Sequence, residues 1–357
     1  MKNLNKSTQK LISTIAVIFV LYLAMSIMQA TGNLSSLMSG LLVPVCAYSL
    51  VAVALNLCVG YLGELSLGHA GFMCIGAFTS ALFSKTFQGT IPDVPRFILA
   101  LLLGTFFAAL FGFLIAIPVL RLSGDYLAIV TLAFGEIIKN VINAIYVGVD
   151  SKGLHFTLKD MMSLGLEPGG TILINGPQGI TGTPRQSNFT IAVLLLIIAL
   201  IVTFNFVNSR TGRAVKAIRD NQIAAETVGL PITKYKLTAF TISAAIAGVG
   251  GVIYAHNINS LTATTNNFGY NMSIMILVYV VLGGIGNFSG SVVAAVVLTM
   301  LPELLRGLSN YRMLIYSIVL IGLMLFNWAP SILRFREEHG ITSQAILGKL
   351  KKKKEVQ

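Results

Sequence analysis

Apolar runs close to twenty residues long recur along the whole chain, and no other feature constrains its folding as much. A helix of about 20 apolar residues crosses the roughly 30 Å hydrocarbon layer of a bilayer. Ten candidate spans follow, at roughly 11–30, 40–58, 70–86, 96–119, 126–147, 189–208, 237–256, 271–286, 290–306 and 313–330. Only 11% of the 357 residues are charged and 55% are hydrophobic, whereas a soluble domain carries about 25% charged residues. The expected class is an all-α polytopic membrane protein, not a soluble protein with unusually buried helices.

Charge sets the expected orientation. With the N-terminus inside, one side collects Lys2, Lys6, Lys10, Arg121, Arg210, Arg213, Lys216, Arg219, Lys234, Lys236, Arg334, Arg336, Lys349 and Lys351 to Lys354, which is 17 of the 25 Lys and Arg. The other side receives Lys85, Arg96, Lys152, Lys159, Arg185, Arg306 and Arg312, and Lys139 falls inside a span. The bias predicts both termini in the cytoplasm and an even number of spans in a cell membrane. Residues 1–10 then form a cytoplasmic N-terminus, 11–330 the transmembrane region, and 331–357 a basic cytoplasmic tail. The segment 148–188 faces outward and 209–236 inward. The run after residue 10 lacks a small-x-small cleavage site and reads as an uncleaved first span.

The net charge of +12 does not point to nucleic acid, because the basic residues flank spans, where lipid headgroups and topology account for them. The lysine-rich tail is expected on anionic lipid. Cys46, Cys58 and Cys74 lie in or beside apolar runs without CxxC spacing, and the four histidines are scattered. No metal site is expected.

Two stretches break the apolar pattern with glycine. One is CVGYLGELSLGHAGF (58–72), holding Gly63, Glu64, Ser66, Gly68 and His69. The other is GGIGNFSG (283–290), holding Gly283, Gly284 and Gly286. Non-helical backbone at membrane depth is tolerated only where protein buries it or it lines a cavity, and broken helices often do this in transporters. These residues are candidates for a pathway or its inner gate. Glu64 has no basic neighbour in sequence and reads first as a wet acid at the cytoplasmic mouth. His69 reads first as a hydrogen-bonded core residue. Glu136 and Lys139 stand three apart in the fifth span, the spacing of an ion pair on one helix face. Pairing is the first reading and a pathway role for Glu136 the second.

The segment 209–236 opens with Arg210, Arg213, Lys216 and Arg219. Ala217, Ile218, Ala224, Ala225 and Val228 follow near helical spacing, so one short amphipathic helix is expected, stopped by Gly229 and Pro231. In the next span SAAIAGVGG (243–251) is dense in small residues, which suits close helix packing and, secondarily, sliding.

The pattern of Ala224, Ala225 and Gly229 resembles the short helix by which permeases of ATP-binding-cassette importers dock on their ATPase, although Ile223 stands where that consensus has Glu. The longer stretches SRTGRAVKAIRDNQIAAETVGL and ITKYKLTAFTISAAIAGVGGVIYA are similar to permeases of branched-chain amino acid importers, nearer the LivM-type subunit than the LivH-type. So are GYLGELSLGHAGFMCIGAF, LRLSGDYLAIVTLAFGEI, GPQGITGTP and VLGGIGNFSGSVVAA. The resemblance runs from about 41 to 330. It implies a type II-like importer permease fold with about ten spans and broken helices. It also implies a LivH-type permease partner, two cytoplasmic ATPases and an external binding protein that meets 148–188 and 257–270. Coupling to the ATPase would fall to Arg213, Ala217, Arg219, Asp220, Ala224, Ala225 and Gly229. The sequence has no GxxxxGK[ST], so ATP and Mg would sit on the partners, and no cofactor is expected on this chain. No catalytic set appears, and the chain is not expected to be an enzyme. A same-class permease for urea, short amides or other amino acids, and an ion-driven secondary transporter using Glu64 and Glu136, remain open.

Overall fold

A computed structural model describes residues 6–328 except 33, 123, 151–152 and 306–310. Residues 1–5 of the expected N-terminus and the basic tail 331–357 lie outside the described residues. The chain divides into two compact units, Met1–Val297 and Leu298–Gln357.

Every expected span falls on a helix. These are α1 (Lys6–Ala30), α2 (Ser36–Asn56), α3 (His69–Thr86), α4 (Asp93–Val119), α5 (Asp125–Ala144), α6 (Phe189–Asn208), α9 (Ile232–Ala255), α11 (Tyr270–Gly283), α12 (Phe288–Leu304) and α13 (Arg312–Trp328). Between α6 and α9 lie α7 (Arg210–Asp220) and α8 (Gln222–Thr227), and α10 (Thr265–Phe268) precedes α11. Among the described residues, six segments are long and apolar enough to cross a membrane: Leu11–Ala30, Ser36–Leu62, Asp93–Val119, Asp125–Ala144, Phe189–Asn208 and Ile232–Ala255. The expected ten is therefore met by six on length and composition. The 18-residue α3 is diluted by His69, Thr79, Ser80, Ser84 and Lys85. The helices α11, α12 and α13 have 14, 17 and 17 residues, and α11 and α12 are cut short at the second glycine break.

The core of the first unit is built around α9, which packs on α2, α3 and α4. Its small-residue run makes this possible. A Cβ on Gly76 would lie 2.4 Å from Gly248 O, and one on Gly251 would lie 2.0 Å from Met73 O. Backbones touch where side chains would otherwise separate them, the arrangement that drives helix association in lipid.

The turn-rich segment 148–188 is more ordered than its sequence suggests. The fifth span was expected to reach 147, but α5 stops at Ala144 and the chain turns into β1 (Tyr146–Asp150). This strand pairs antiparallel with β2 (Gly153–Thr157) and β3 (Thr171–Asn175) in a sheet of order β2-β1-β3. The short β-branched apolar run in TILIN, of which Leu173 and Ile174 are buried, carries the strand signal. A second pairing joins β4 (Ile180–Thr181) to β5 (Ser260–Leu261), tying 148–188 to 257–270.

Candidate functional site

Beyond Asn56, α2 continues as a π-helical turn, Leu57–Leu62, and then unwinds at Gly63, whose φ of 81° suits glycine. The second break, between α11 and α12, also turns on positive φ, 95° at Gly284 and 80° at Gly286. The two breaks, more than 200 residues apart, dock on each other. Gly286 N–H donates to Asn56 Oδ1 at 2.8 Å, and the Asn56 amide donates to Ser291 Oγ at 2.6 Å. Tyr61 OH donates to Gly286 O at 2.7 Å, and its ring stacks on Phe288 with centroids 4.9 Å apart. A Cβ on Gly60 would lie 2.3 Å from Asn56 Oδ1 and 2.4 Å from Gly286 N, so only glycine allows this approach. Gly283 meets the start of α12 in the same way, with Gly290 C 2.4 Å from where its Cβ would be.

The segment expected as one amphipathic helix is two. Asn221 is extended (φ −157°, ψ 102°), and its side chain accepts from Ala224 N–H, so it ends α7 and caps α8. At the far end Gly229 (φ 81°) closes the helix. Gly229 N–H donates to Glu226 O and Leu230 N–H to Ala225 O, the paired bonds of a Schellman motif. The kink gives the segment two apolar faces. Val215, Ile218 and Ala225 are buried, whereas Ala217, Ile223, Ala224 and Val228 are exposed.

Three side chains connect this helix pair to the first break. Arg219 Nη1 donates to Gly60 O at 2.6 Å. Its stem passes over Gly63, where a Cβ would lie 2.5 Å from Arg219 Cγ. The Lys216 ammonium sits 5.4 Å above the Tyr61 ring. Partial burial, with Arg219 and Arg213 adding to it, lowers the pKa of Lys216. Lys236, in the second turn of α9, donates to Glu64 Oε1 and, at 3.1 Å, to Gln222 Oε1 on α8. The Glu64 and Lys236 side chains are 11% and 9% exposed, so the acid with no basic neighbour in sequence is a buried ion pair closed from 172 residues away. Arg219 also contacts Asp220, with Nη2 2.8 Å from Oδ1. Arg213 and Asp220 remain exposed.

His69 opens α3 and is fully enclosed. Its Nε2 bonds Ser243 Oγ on α9 at 2.7 Å, and its Nδ1 lies 3.3 Å from Ser66 Oγ. Gly68 lies against α5, where its Cβ would be 2.8 Å from Thr131 O. Glu136 and Lys139 do pair, at 2.5 Å, toward the opposite end of the helices. Glu136 Oε1 also accepts from Tyr270 N–H at 2.7 Å, an anion at the N-terminus of α11. Lys139 reaches Thr265 Oγ1 at 3.2 Å.

The structure thus brings Gly63, Glu64, Arg219, Gly284 and Gly286 into one neighbourhood and leaves Glu136 outside it. Sequence reasoning missed Asn56, Tyr61, Lys216, Gln222 and Lys236 as parts of it. An Asn inside an apolar run and a Lys at the start of one were the available signals, since such groups need partners.

The family described as branched-chain amino acid transport system, permease component, matches residues 37–327. The chain is 36% identical over 293 residues to the high-affinity branched-chain amino acid transport system permease protein LivM of Salmonella typhimurium strain LT2, covering 79% of this chain and 66% of that protein. Against LivM of Escherichia coli K12 the identity is 35% with the same coverage. The match therefore spans just under two thirds of the length of those proteins. The nucleoside ABC transporter permease protein NupC of Lactococcus lactis is 26% identical over 209 residues, 55% of this chain and 60% of that protein. No solved structure matches. With its multi-pass helices and a family match over residues 37–327, the chain belongs to the branched-chain amino acid transport system permease family.

Proposed function

We propose that the chain is the membrane-spanning permease subunit of an ATP-driven importer and forms part of the path for leucine, isoleucine and valine. Its termini are cytoplasmic. It pairs with a second, LivH-type permease, docks two cytoplasmic ATPases that carry ATP and Mg, and receives cargo from an external binding protein at 148–188 and 257–270.

The observation that supports this most is the linkage from α7 and α8 to the glycine breaks. The exposed face of Ala217, Ile223, Ala224 and Val228 offers apolar surface to the ATPase. Nucleotide-driven movement of the ATPases displaces α7 and α8. The Arg219–Gly60 bond and the Lys236–Glu64 pair pass that displacement to the first break. Asn56 and Tyr61 pass it to the second. Gly63, Glu64, Ser66, Gly68, His69, Gly283, Gly284 and Gly286 then act as gate or gate support, and Glu136 braces the opposite end. An ion-driven transporter would have no use for this linkage.

The test is leucine uptake by the complete complex in vesicles, with ATP inside and ion gradients collapsed. Uptake that needs ATP supports the reading, and uptake that follows a gradient and ignores ATP refutes it. Cargo is tested by competition. The likeness to a nucleoside permease makes uridine the informative competitor, and suppression of leucine uptake by uridine but not by isoleucine or valine would move the cargo to nucleosides.

A further inference from the structure

On the side opposite α7 and α8, the edge strand β2 turns its large apolar residues outward. A hairpin standing in water turns apolar residues inward and polar residues outward. Here His155 turns back to Asp150, with Nε2 3.0 Å from Oδ1, and the Asp150 side chain is 1% exposed. Leu154, Phe156 and Leu158 are exposed on the edge strand and just beyond it, and Met161 and Met162 follow, Met162 at 90% exposure. Large apolar side chains exposed along an edge strand and in the turn that follows it mark an interaction surface.

The strand register indicates what covers it. Tyr146 pairs with Thr157 and Val147 with Phe156, and Tyr146 comes two residues after the last residue of α5. The hairpin therefore leaves the helix end and returns to it, bringing Phe156, Thr157 and Leu158 back to that level. That helix crosses the membrane by length and composition, and Ile137 and Val141 in its last two turns are exposed. Exposed apolar surface is thus present both on the end of the spanning helix and on the strand edge beside it. Lys159, also exposed, follows directly and supplies a cation at headgroup depth.

We infer that the edge formed by Phe156, Leu158 and Met162 is a lipid contact, seated in the headgroup and upper acyl region of the leaflet facing away from the ATPases. It holds the sheet, and with it β3 and the loop joined to β5, at a fixed depth. The binding protein, which the proposed function seats on the rest of 148–188 and on 257–270, and the partner permease are the competing occupants of this edge.

The three cysteines are buried, so an introduced exposed cysteine can be labelled selectively. Phe156→Cys and Met162→Cys each carry an environment-sensitive dye in the assembled complex, reconstituted in phosphatidylcholine vesicles. Thr171→Cys is the reference, because Thr171 is exposed and pairs with Val149 at the far end of the sheet. Phosphatidylcholine bearing a nitroxide high on its acyl chain should lower the emission at 156 and 162 by about twofold or more, while iodide lowers it only at 171. Iodide quenching at 156 and 162 equal to that at 171 overturns the inference in favour of water. Quenching there by neither agent overturns it in favour of a protein partner. The two sites are read independently, so failure of one variant to assemble leaves the other decisive.

Discussion

Gly60→Ala places one methyl group where the two breaks meet. The added carbon would lie 2.3 Å from Asn56 Oδ1, 2.4 Å from Gly286 N and 2.7 Å from Gly286 Cα. Two of these atoms are backbone, so no side-chain rotation relieves the clash and the breaks must separate. Overpacking of this kind costs about 1–3 kcal/mol. Separation also stretches the Gly286–Asn56 and Tyr61–Gly286 hydrogen bonds, each contributing about 1 kcal/mol. A total of about 3–5 kcal/mol shifts the balance between docked and parted breaks by about a hundredfold or more. The assay is leucine taken up per ATP hydrolysed by the reconstituted complex, alongside its melting temperature. The expected result is ATP hydrolysis that persists with uptake per ATP reduced at least about tenfold, allowing for partial relaxation. Gly40→Ala is the matched control, since a Cβ there meets nothing within 4 Å and alanine gains about 0.5–1 kcal/mol over glycine in a helix. If Gly60→Ala couples and melts like Gly40→Ala, the docking of the breaks does not carry the transport cycle.

Three further outcomes follow from the same contacts. Lys236→Met strands Glu64 in a site where its side chain is 11% exposed. It should destabilise the chain by about 3–5 kcal/mol, while adding Glu64→Gln recovers most of the loss in a thermal melt. Gly229→Arg forces a side chain into φ 81° at a cost of about 1–3 kcal/mol; membrane insertion should be normal by fractionation, with ATP-dependent uptake lost, and retained ATPase docking in this variant would count against the coupling assignment. Ile223→Asp, at a position 77% exposed, should leave the melting temperature of the permease alone and lower co-purification of the ATPases; unchanged co-purification places the docking face elsewhere.

How legible each part was depends on how far apart its partners lie. The spans were readable because each buries its own backbone polar groups, so an apolar run of about 20 residues needs no distant partner to be a helix. The stop at Gly229 was readable for the same reason, as a Schellman motif closes within six residues. The Glu136–Lys139 pair was readable from a spacing of three. Glu64 and Lys236 are 172 residues apart and Asn56 and Gly286 are 230 apart, and one sequence carries no signal joining them. The kink at Asn221 was overlooked although local, because the apolar spacing on either side continues through it while the Asn side chain caps the second helix. The strands after α5 were hidden by an apolar run that continues across the helix end into YVGVD.

The sites of the two breaks follow from the shortage of hydrogen-bond partners in a membrane. Unwinding a helix there frees N–H and C=O groups, each costing several kcal/mol if left unpaired. At the first break Gly60 O is taken by Arg219 and Glu64 N–H by Cys58 O. At the second, Asn56 takes Gly286 N–H and Tyr61 donates to Gly286 O. Each break is therefore satisfied largely by the other break or by α7. Moving α7 away exposes Gly60 O, and parting the breaks exposes both polar groups of Gly286. Parting such a linkage leaves a poorly paired state, which disfavours anything between one fully docked arrangement and another. Under the proposed function, that is the property a gate driven from outside the membrane needs, and it accounts for the glycines, the buried Asn and the inward-turned Arg occurring together instead of being spread along the spans.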